Sequence, residues 1–287
     1  MNSLPYDFID RVFTKLNDDD IRSLNVDSPI WKEAHRVYNR KRTLHVVFAC
    51  FDSETKELFY KIHESPDEQT ATTLDEALQY DPRFKRVDSF IIKETGTVDL
   101  LTKLATTRLP DLIEYVASFN LSQLFILRFE ESPKDFQDKF VATEFRTSQL
   151  FIDGFPDGTE FARKQLKSLE LESFHTTCLL GDGLKDVAEA FVCRPNFKDL
   201  MLESQCFAVE DFKRIVDYWK VVKPKKEWHI YTEPGRNFHD EFASWMTPAK
   251  KKTEMFTVFE EKIGNFVLTI ECDQRECNLH CEKIIDE

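Results

Sequence analysis

Glycine is scarce in this chain of 287 residues, with seven in all against 26 phenylalanines. Tight backbone approach to phosphate groups relies on glycine's missing side chain, so few cofactor cradles can be built from this sequence. No Gly-x-Gly-x-x-Gly, no phosphate loop ending in Lys-Ser/Thr and no Gly-x-Ser-x-Gly elbow occurs. Gly181-Asp182-Gly183 reads as a turn into a helix. Also missing is any run of 18 apolar residues, and the N-terminus has no basic segment followed by an apolar one. Neither a membrane span nor a secretory signal is therefore expected. Cysteines number seven, an odd and scattered set that fits the reduced thiols of cytosol or nucleus. Positive charge is short too: 39 Lys and Arg face 52 Asp and Glu, for a net charge of −13. The deficit lies outside residues 1–42, which hold eight cations and seven anions. An acidic body repels a phosphate backbone, which argues against nucleic-acid binding. The clusters Lys250-Lys251-Lys252 and Lys223/Lys225/Lys226 read as solvated loops.

What the sequence does have is concentrated at residues 4–31. On a helix at ~100° per residue, Phe8, Val12, Leu16, Ile9 and Phe13 fall at about 0, 40, 80, 100 and 140°, one broad apolar stripe. Pro5 suits a first helical turn, where its missing N–H costs nothing. Asn17 and Asp18-Asp19-Asp20 end that helix and offer cap acceptors to a short second one carrying Ile21 and Leu24. A third helix is expected from Ser28 as N-cap and Pro29 at its first position, through Trp31, Ala34, Val37 and Tyr38, to the cations Arg40-Lys41-Arg42. Helices in a segment this short cannot enclose so much apolar surface alone. Either the rest of the chain covers the stripe or a partner does.

The segment resembles an F-box, the motif by which F-box proteins bind the Skp-type adaptor of SCF (Skp, cullin, F-box) ubiquitin ligases. The Leu4-Pro5 opening, Asp7, the pairs Phe8/Ile9 and Val12/Phe13, Leu16, Asp20-Ile21, Leu24 and Trp31 stand at the family spacing without a gap. Asp27 before Ser28 departs from it, since the family usually has Val there and Val26 comes one place early. The resemblance implies that Leu4, Pro5, Phe8, Ile9, Val12, Phe13, Leu16, Ile21, Leu24 and Trp31 carry adaptor contacts or the small core beneath them.

Beyond Arg42 the pattern changes. Residues 44–50 and 58–62, separated by a polar turn, read as a hairpin. A short helix is expected near residues 74–78. From residue 86 onward short apolar strands alternate with amphipathic helices: 87–93, 123–129, 149–153, 167–172, 198–203, 227–232 and 256–260 read as strands, with starts 18 to 36 residues apart. Helical spacing links Leu112, Val116 and Phe119; Phe136 and Phe140; Leu184, Val187, Ala188 and Phe191; Phe212, Ile215, Val216 and Trp219; and Phe238, Phe242, Trp245 and Met246. Alternation of this kind calls for parallel strands. Three strand phrases, at 123–127, 166–171 and 197–202, resemble the Leu-x-x-Leu-x-Leu of leucine-rich repeats without their Asn. The expected fold is α/β: an N-terminal three-helix F-box-like module (1–42), then an irregular leucine-rich-repeat-like solenoid (43–287) closed by an antiparallel hairpin of 266–272 and 276–281. A compact doubly wound α/β domain is the alternative. The stretch from Phe207 through Trp219 to Trp228 also resembles the F-box-associated regions of the large nematode F-box families.

No constellation reads as catalytic, and neither cofactor nor metal is expected. Cys272, Cys277, His280 and Cys281 form the one metal-like cluster, but on a strand His280 points away from Cys277 and Cys281, so buried thiols are the plainer reading. His175, His229 and His239 read as structural. Taken with the F-box resemblance, these features imply a non-enzymatic substrate-recognition subunit of an SCF-type ligase, expected in the cytoplasm or nucleus. By the family analogy its partners are a Skp-type adaptor, a cullin held through it, and a target protein. The alternative is an interaction or regulatory protein whose degenerate F-box packs on its own body.

Overall fold

The computed structural model describes residues 6–13, 16, 21, 24–25, 27–52, 55, 57–64, 71–81, 83–94, 102–104, 108–128, 130, 132–155, 158–177, 184–202, 207–232, 257–272 and 277–284. The expectations for Leu4, Pro5, the Asp18–Asp20 run, Val26, Gly181–Gly183, His239, the 238–246 helix and the 250–252 lysines lie outside them. The chain forms two compact units, residues 1–148 and 149–287.

The first unit opens with helices α1 (Tyr6–Phe13) and α2 (Pro29–Lys41). Strands β1 (Thr43–Asp52) and β2 (Glu57–Glu64) then pair antiparallel, from His45 opposite Glu64 to Asp52 opposite Glu57. Two short strands, β3 (Ala71–Thr72) and β5 (Thr102–Leu104), lie antiparallel to β2. On the other side of β1, β4 (Lys85–Glu94) and then β6 (Asn120–Leu127) run parallel. Helix α3 (Leu74–Gln79) starts on a capping box, in which Thr73 Oγ1 accepts from Glu76 N–H and the Glu76 carboxylate accepts from Thr73 N–H. Helices α4 (Leu109–Ala117) and α5 (Lys134–Ala142) follow. The core is aromatic as well as aliphatic: Phe90 from β4 meets Phe140 of α5 and Phe145 at ring distances of 6.0 and 6.2 Å.

Within that core sits a titratable group. His45 is fully buried, its Nδ1 lies 2.7 Å from the Tyr115 hydroxyl, and the Tyr80 ring meets it edge-on. Burial is the main force holding the imidazole below its ordinary value, and the Lys85 and His63 charges add to it against Glu64. Lys85 itself donates to the Ala77 carbonyl at 3.1 Å over the Tyr115 ring.

In the second unit, parallel strands β7 (Arg146–Asp153, within which the division falls), β8 (Ser173–Thr176), β9 (Asp199–Leu202) and β10 (Trp228–Thr232) alternate with α6 (Gly158–Gln165), α7 (Lys185–Val192) and α8 (Val209–Val222). Three antiparallel strands complete it: β11 (Thr257–Ile263), β12 (Phe266–Cys272) and β13 (Cys277–Lys283), with β13 antiparallel to β10. The β11–β12 turn needs Gly264, whose φ of +63° suits a residue without Cβ, although the space beside it is open. Trp219 of α8 stacks on Trp228 at 5.5 Å, and Lys220 pairs with Glu261 at 2.7 Å, so the helices cover the face that carries Trp228, Ile230, Leu279 and Glu261.

α7 and α8 are tied by charge. Asp211, almost wholly buried, accepts from Ala208 N–H at 2.7 Å, pairs with Lys185 at 2.6 Å and meets Arg214, which also holds Glu189 at 2.7 Å. Burial alone would raise the Asp211 carboxyl, but these partners overcome it and hold it below the usual carboxylate range. Ala208 has no side-chain acceptor, so the acid supplies the one side-chain cap at this helix start.

These topologies correct the expected fold. A leucine-rich-repeat-like solenoid carries like units with parallel strands throughout, whereas each unit here has a mixed sheet. In the first, the hairpin β1–β2 sets antiparallel strands beside parallel ones. In the second, the 256–260 strand is not a further parallel repeat but part of a three-stranded antiparallel meander, and the closing hairpin is its second half. The 167–172 strand does not form: those residues are turn and irregular backbone, and β8 begins at Ser173. Arg194 donates to the carbonyls of Leu166 and Ser168, and Asn196 to those of Leu169 and Leu171, so side chains take acceptors that a ladder would need. The short second helix expected between α1 and α2 lies for the most part outside the described residues; of those described there, Ile21 is helical. Cys277 and Cys281 are buried on the helix side of β13 while His280 lies on the other, the facing expected from strand alternation.

Candidate functional site

α1 puts its apolar residues on two sides rather than one. Ile9 and Phe13 are fully buried, together with Ile21, Ala34 and Tyr38, and Leu16, Leu24, Trp31 and Phe84 pack around that cluster. The Phe13 ring lies 5.1 Å from Tyr38 and 5.8 Å from Trp31. Phe8, one residue from Ile9, is 47% exposed, and Val12 is half-buried. On α2, Ile30 is 37% exposed beside half-buried Trp31. The indole Nε1 of Trp31 is shut from solvent without an acceptor among the described residues.

The connection between the two helices is held from α2. His35 Nε2 lies 2.8 Å from the Ile21 carbonyl, and Arg42 donates to the Leu16 carbonyl at 2.5 Å. Ser28 sits at the N-cap with Pro29 at the start of α2, although the Ser28 hydroxyl caps no backbone N–H. Asp27 is exposed. Phe84, which precedes β4, reaches the cluster from the body: its ring is 5.0 Å from Tyr38, and its carbonyl accepts from Thr43 N–H at 2.8 Å.

Of the ten residues assigned from sequence, Ile9, Phe13, Leu16, Ile21, Leu24 and Trp31 lie in or against this cluster, Phe8 and Val12 lie on α1 beside it, and Leu4 and Pro5 lie outside the described residues. The eight divide by burial. Ile9, Phe13 and Ile21 form core, Val12, Leu16, Leu24 and Trp31 lie half-buried, and Phe8 presents its ring to solvent. Exposed Leu78, Leu169 and the Val221-Val222 pair are scattered elsewhere, as lone apolar surface residues are in most proteins.

A second grouping was not legible in the sequence. Asp199 on β9 stands between His175 on β8, whose Nε2 meets its Oδ2, and His229 on β10, whose Nδ1 is 3.3 Å from its Oδ1. Burial would raise the Asp199 carboxyl, but the two imidazoles more than offset it and hold it far below the usual range. The Asp199 carboxylate in turn holds the His229 imidazole above its ordinary value, with Asn278 and Glu271 adding and burial opposing. A carboxylate orienting two imidazoles can move protons, yet these side chains are a quarter to nearly half exposed on a sheet surface. No metal-binding group of three or more His, Cys, Asp or Glu exists among the described residues. Only the parallel order β8–β9–β10 brings the three together, and the outward strand position of each is the one signal available in sequence.

A groove of about 610 Å³ lies between α4 and α5, lined by Ile113, Ala117 and Ala142 with Glu114, Lys139 and Glu144 at its polar edge. Among the described residues no helix is long and apolar enough to cross a membrane. No protein-family model matches the chain, and no curated protein does. Among solved structures it is similar to pyridoxal kinase from Staphylococcus aureus in complex with ADP, at 12% identity over 82% of this chain and 72% of that one, with a TM-score of 0.21. Likeness at that level carries no argument about fold or activity.

Proposed function

We propose that this protein is a substrate-recognition subunit of an SCF-type ubiquitin ligase, with α1 and α2 docking a Skp-type adaptor and, through it, a cullin. The observation that carries the reading is the pair of exposed apolar side chains, Phe8 at 47% and Ile30 at 37%, on helices whose other faces are already filled by their own core. A residue pattern that is apolar on both sides of a short helix leaves surface for a partner to cover. In this reading the remainder of the chain holds a target protein near a ubiquitin-loaded enzyme, in the cytoplasm or nucleus. The subunit contributes position: tethering raises the effective concentration of target and transfer machinery without a catalytic side chain.

Co-expression with a Skp-type adaptor tests this. The expected result is a stable complex, lost in Phe8→Glu while the variant keeps the parent's unfolding temperature. A chain that folds normally and co-purifies with no Skp-type adaptor refutes the proposal. One observation favours the rival reading, an interaction protein whose F-box-like helices serve its own body: Phe84 joins their core. Under that reading Phe8→Glu changes neither complex formation nor any partner, and Phe84→Ala loosens α1 and α2.

A further inference from the structure

The helices of the second unit cover one face of its sheet, and strand register defines the other. Opposite positions place Phe151, His175, Met201, Tyr231, Asn278 and Glu271 in one row across β7, β8, β9, β10, β13 and β12. Asp199, His229 and His280 stand in the next row. Burial agrees: Leu150, Phe174, Leu200 and Ile230 on the helix side are essentially inaccessible, while Phe151, His175, Met201 and Tyr231 keep part of their surface open.

Charge on this open face is one-sided. Asp153, Asp199, Glu260, Glu271 and Glu282 share it by register and alternation, against Lys262 and the imidazoles of His175, His229 and His280 among the described residues of this face. Two of the carboxylates are already engaged, Asp199 by its imidazoles and Asp153 by the Thr177 hydroxyl at 2.5 Å. Glu260 and Glu282 are exposed and Glu271 is half-buried. The face thus sets aromatic and thioether surface beside carboxylates, which suits a cationic side chain that can stack and pair at once.

We infer that this face docks a Lys/Arg-bearing segment of a target protein, laid across β9, β10, β13, β12 and β11 so that its cations meet Glu260, Glu271 and Glu282 and its apolar stems rest on Met201 and Tyr231. A nucleic acid of the same length would be repelled by the same carboxylates. The inference rests on the receptor reading above and supplies the chemistry of the target that reading leaves open.

The test uses the full chain and a fluorescein-labelled octa-arginine peptide, followed by anisotropy. Binding is expected to weaken with added salt, and by about tenfold or more in Glu260→Lys/Glu271→Lys/Glu282→Lys. Met201→Ala is expected to weaken it by about threefold at unchanged charge. An equal charge reversal in the first unit, Glu114→Lys/Asp135→Lys/Glu144→Lys, leaves it within about twofold if the site is the sheet face. Equal loss in both triple variants means diffuse attraction to an acidic protein and overturns the inference. So does loss in the first-unit variant alone, which would seat the peptide at the α4–α5 groove. A chain that forms the adaptor complex but ignores the peptide sinks this inference and spares the receptor reading. A chain that binds the peptide at this face without any adaptor does the reverse.

Discussion

Two helix pairs in this chain are built on different principles. α1 and α2 meet through rings, with Phe13 between Tyr38 and Trp31 and no ion pair described between the helices. α7 and α8 meet through charge as well, with Asp211 holding Lys185, Arg214 and the Ala208 N–H, and Arg214 reaching Glu189. A charge network fixes two helices at one spacing and satisfies itself. An aromatic contact can stay closed while a neighbouring ring, here Phe8, faces outward. Under the proposed function, the first pair suits an exchangeable partner and the second a permanent scaffold.

The strongest way to break this contrast is to empty the ring-built core. Phe13→Ala should cost about 3–5 kcal/mol, because the cavity between Tyr38 and Trp31 cannot collapse fully. Urea unfolding of the full chain reads it, and a loss below about 1 kcal/mol would mean that α1 is held by something other than Phe13. Phe8→Ala, on the same helix, should change stability by no more than about 0.5 kcal/mol while abolishing adaptor capture. Equal destabilisation by the two would erase the distinction between core and presented surface.

Asp211→Ala comes next, at about 1–2 kcal/mol, chiefly through the lost helix cap, since Lys185 and Arg214 are open enough to water to be repaired by it. Asp211→Asn keeps a cap acceptor and should recover part of that loss in the same unfolding measurement. Full recovery would mean that the ion pairs contribute nothing.

The smallest effects are acid–base, and the two histidines differ in sign. His45 is held below its ordinary value of 6.5, so above that value it is silent. As pH falls below it, the unfolded chain binds the proton first and the first unit loses stability until the folded value is passed. Asp211 acts later: its contribution is present above 3.8 and is lost as pH falls through its depressed value. His229 has the opposite sense, with its contribution full below 6.5 and lost as pH rises through its raised value. Thermal unfolding of His45→Asn and His229→Asn against pH should therefore flatten the acid side in one and the alkaline side in the other. Parallel profiles would contradict the assigned environments.

Much of the local structure was legible because period and burial agreed. The strands read at 87–93, 123–129, 149–153, 198–203 and 227–232 lie in or across β4, β6, β7, β9 and β10, and Phe212, Ile215, Val216 and Trp219 do line the buried side of α8. Where the reading failed, a long-range partner intervened. Leu166, Leu169 and Leu171 have strand-like spacing, but Arg194 and Asn196 claim the carbonyls around them from more than twenty residues away. Strand direction failed likewise: a run such as Thr257–Ile263 looks the same whether its neighbour is parallel or antiparallel. At the candidate surface, the sequence pattern did not separate Phe8 from Ile9, because a stripe drawn on a helical wheel does not say which flank its own chain fills. Asp199 was invisible for a related reason. Its significance depends on β8 and β10 lying to either side of it.

The outer strands carry a further consequence. β3, on the β2 side of the first unit's sheet, has two residues, while β11, which among the described residues pairs only with β12, exposes Glu260 and Lys262. A long bare strand with apolar flanks would invite another copy to add on and begin a fibril. In the first unit β3 is too short to template such growth, and in the second β11 is guarded by charges of both signs. Such edges would let a protein rich in phenylalanine sit at high local concentration in an assembly without its copies zipping together.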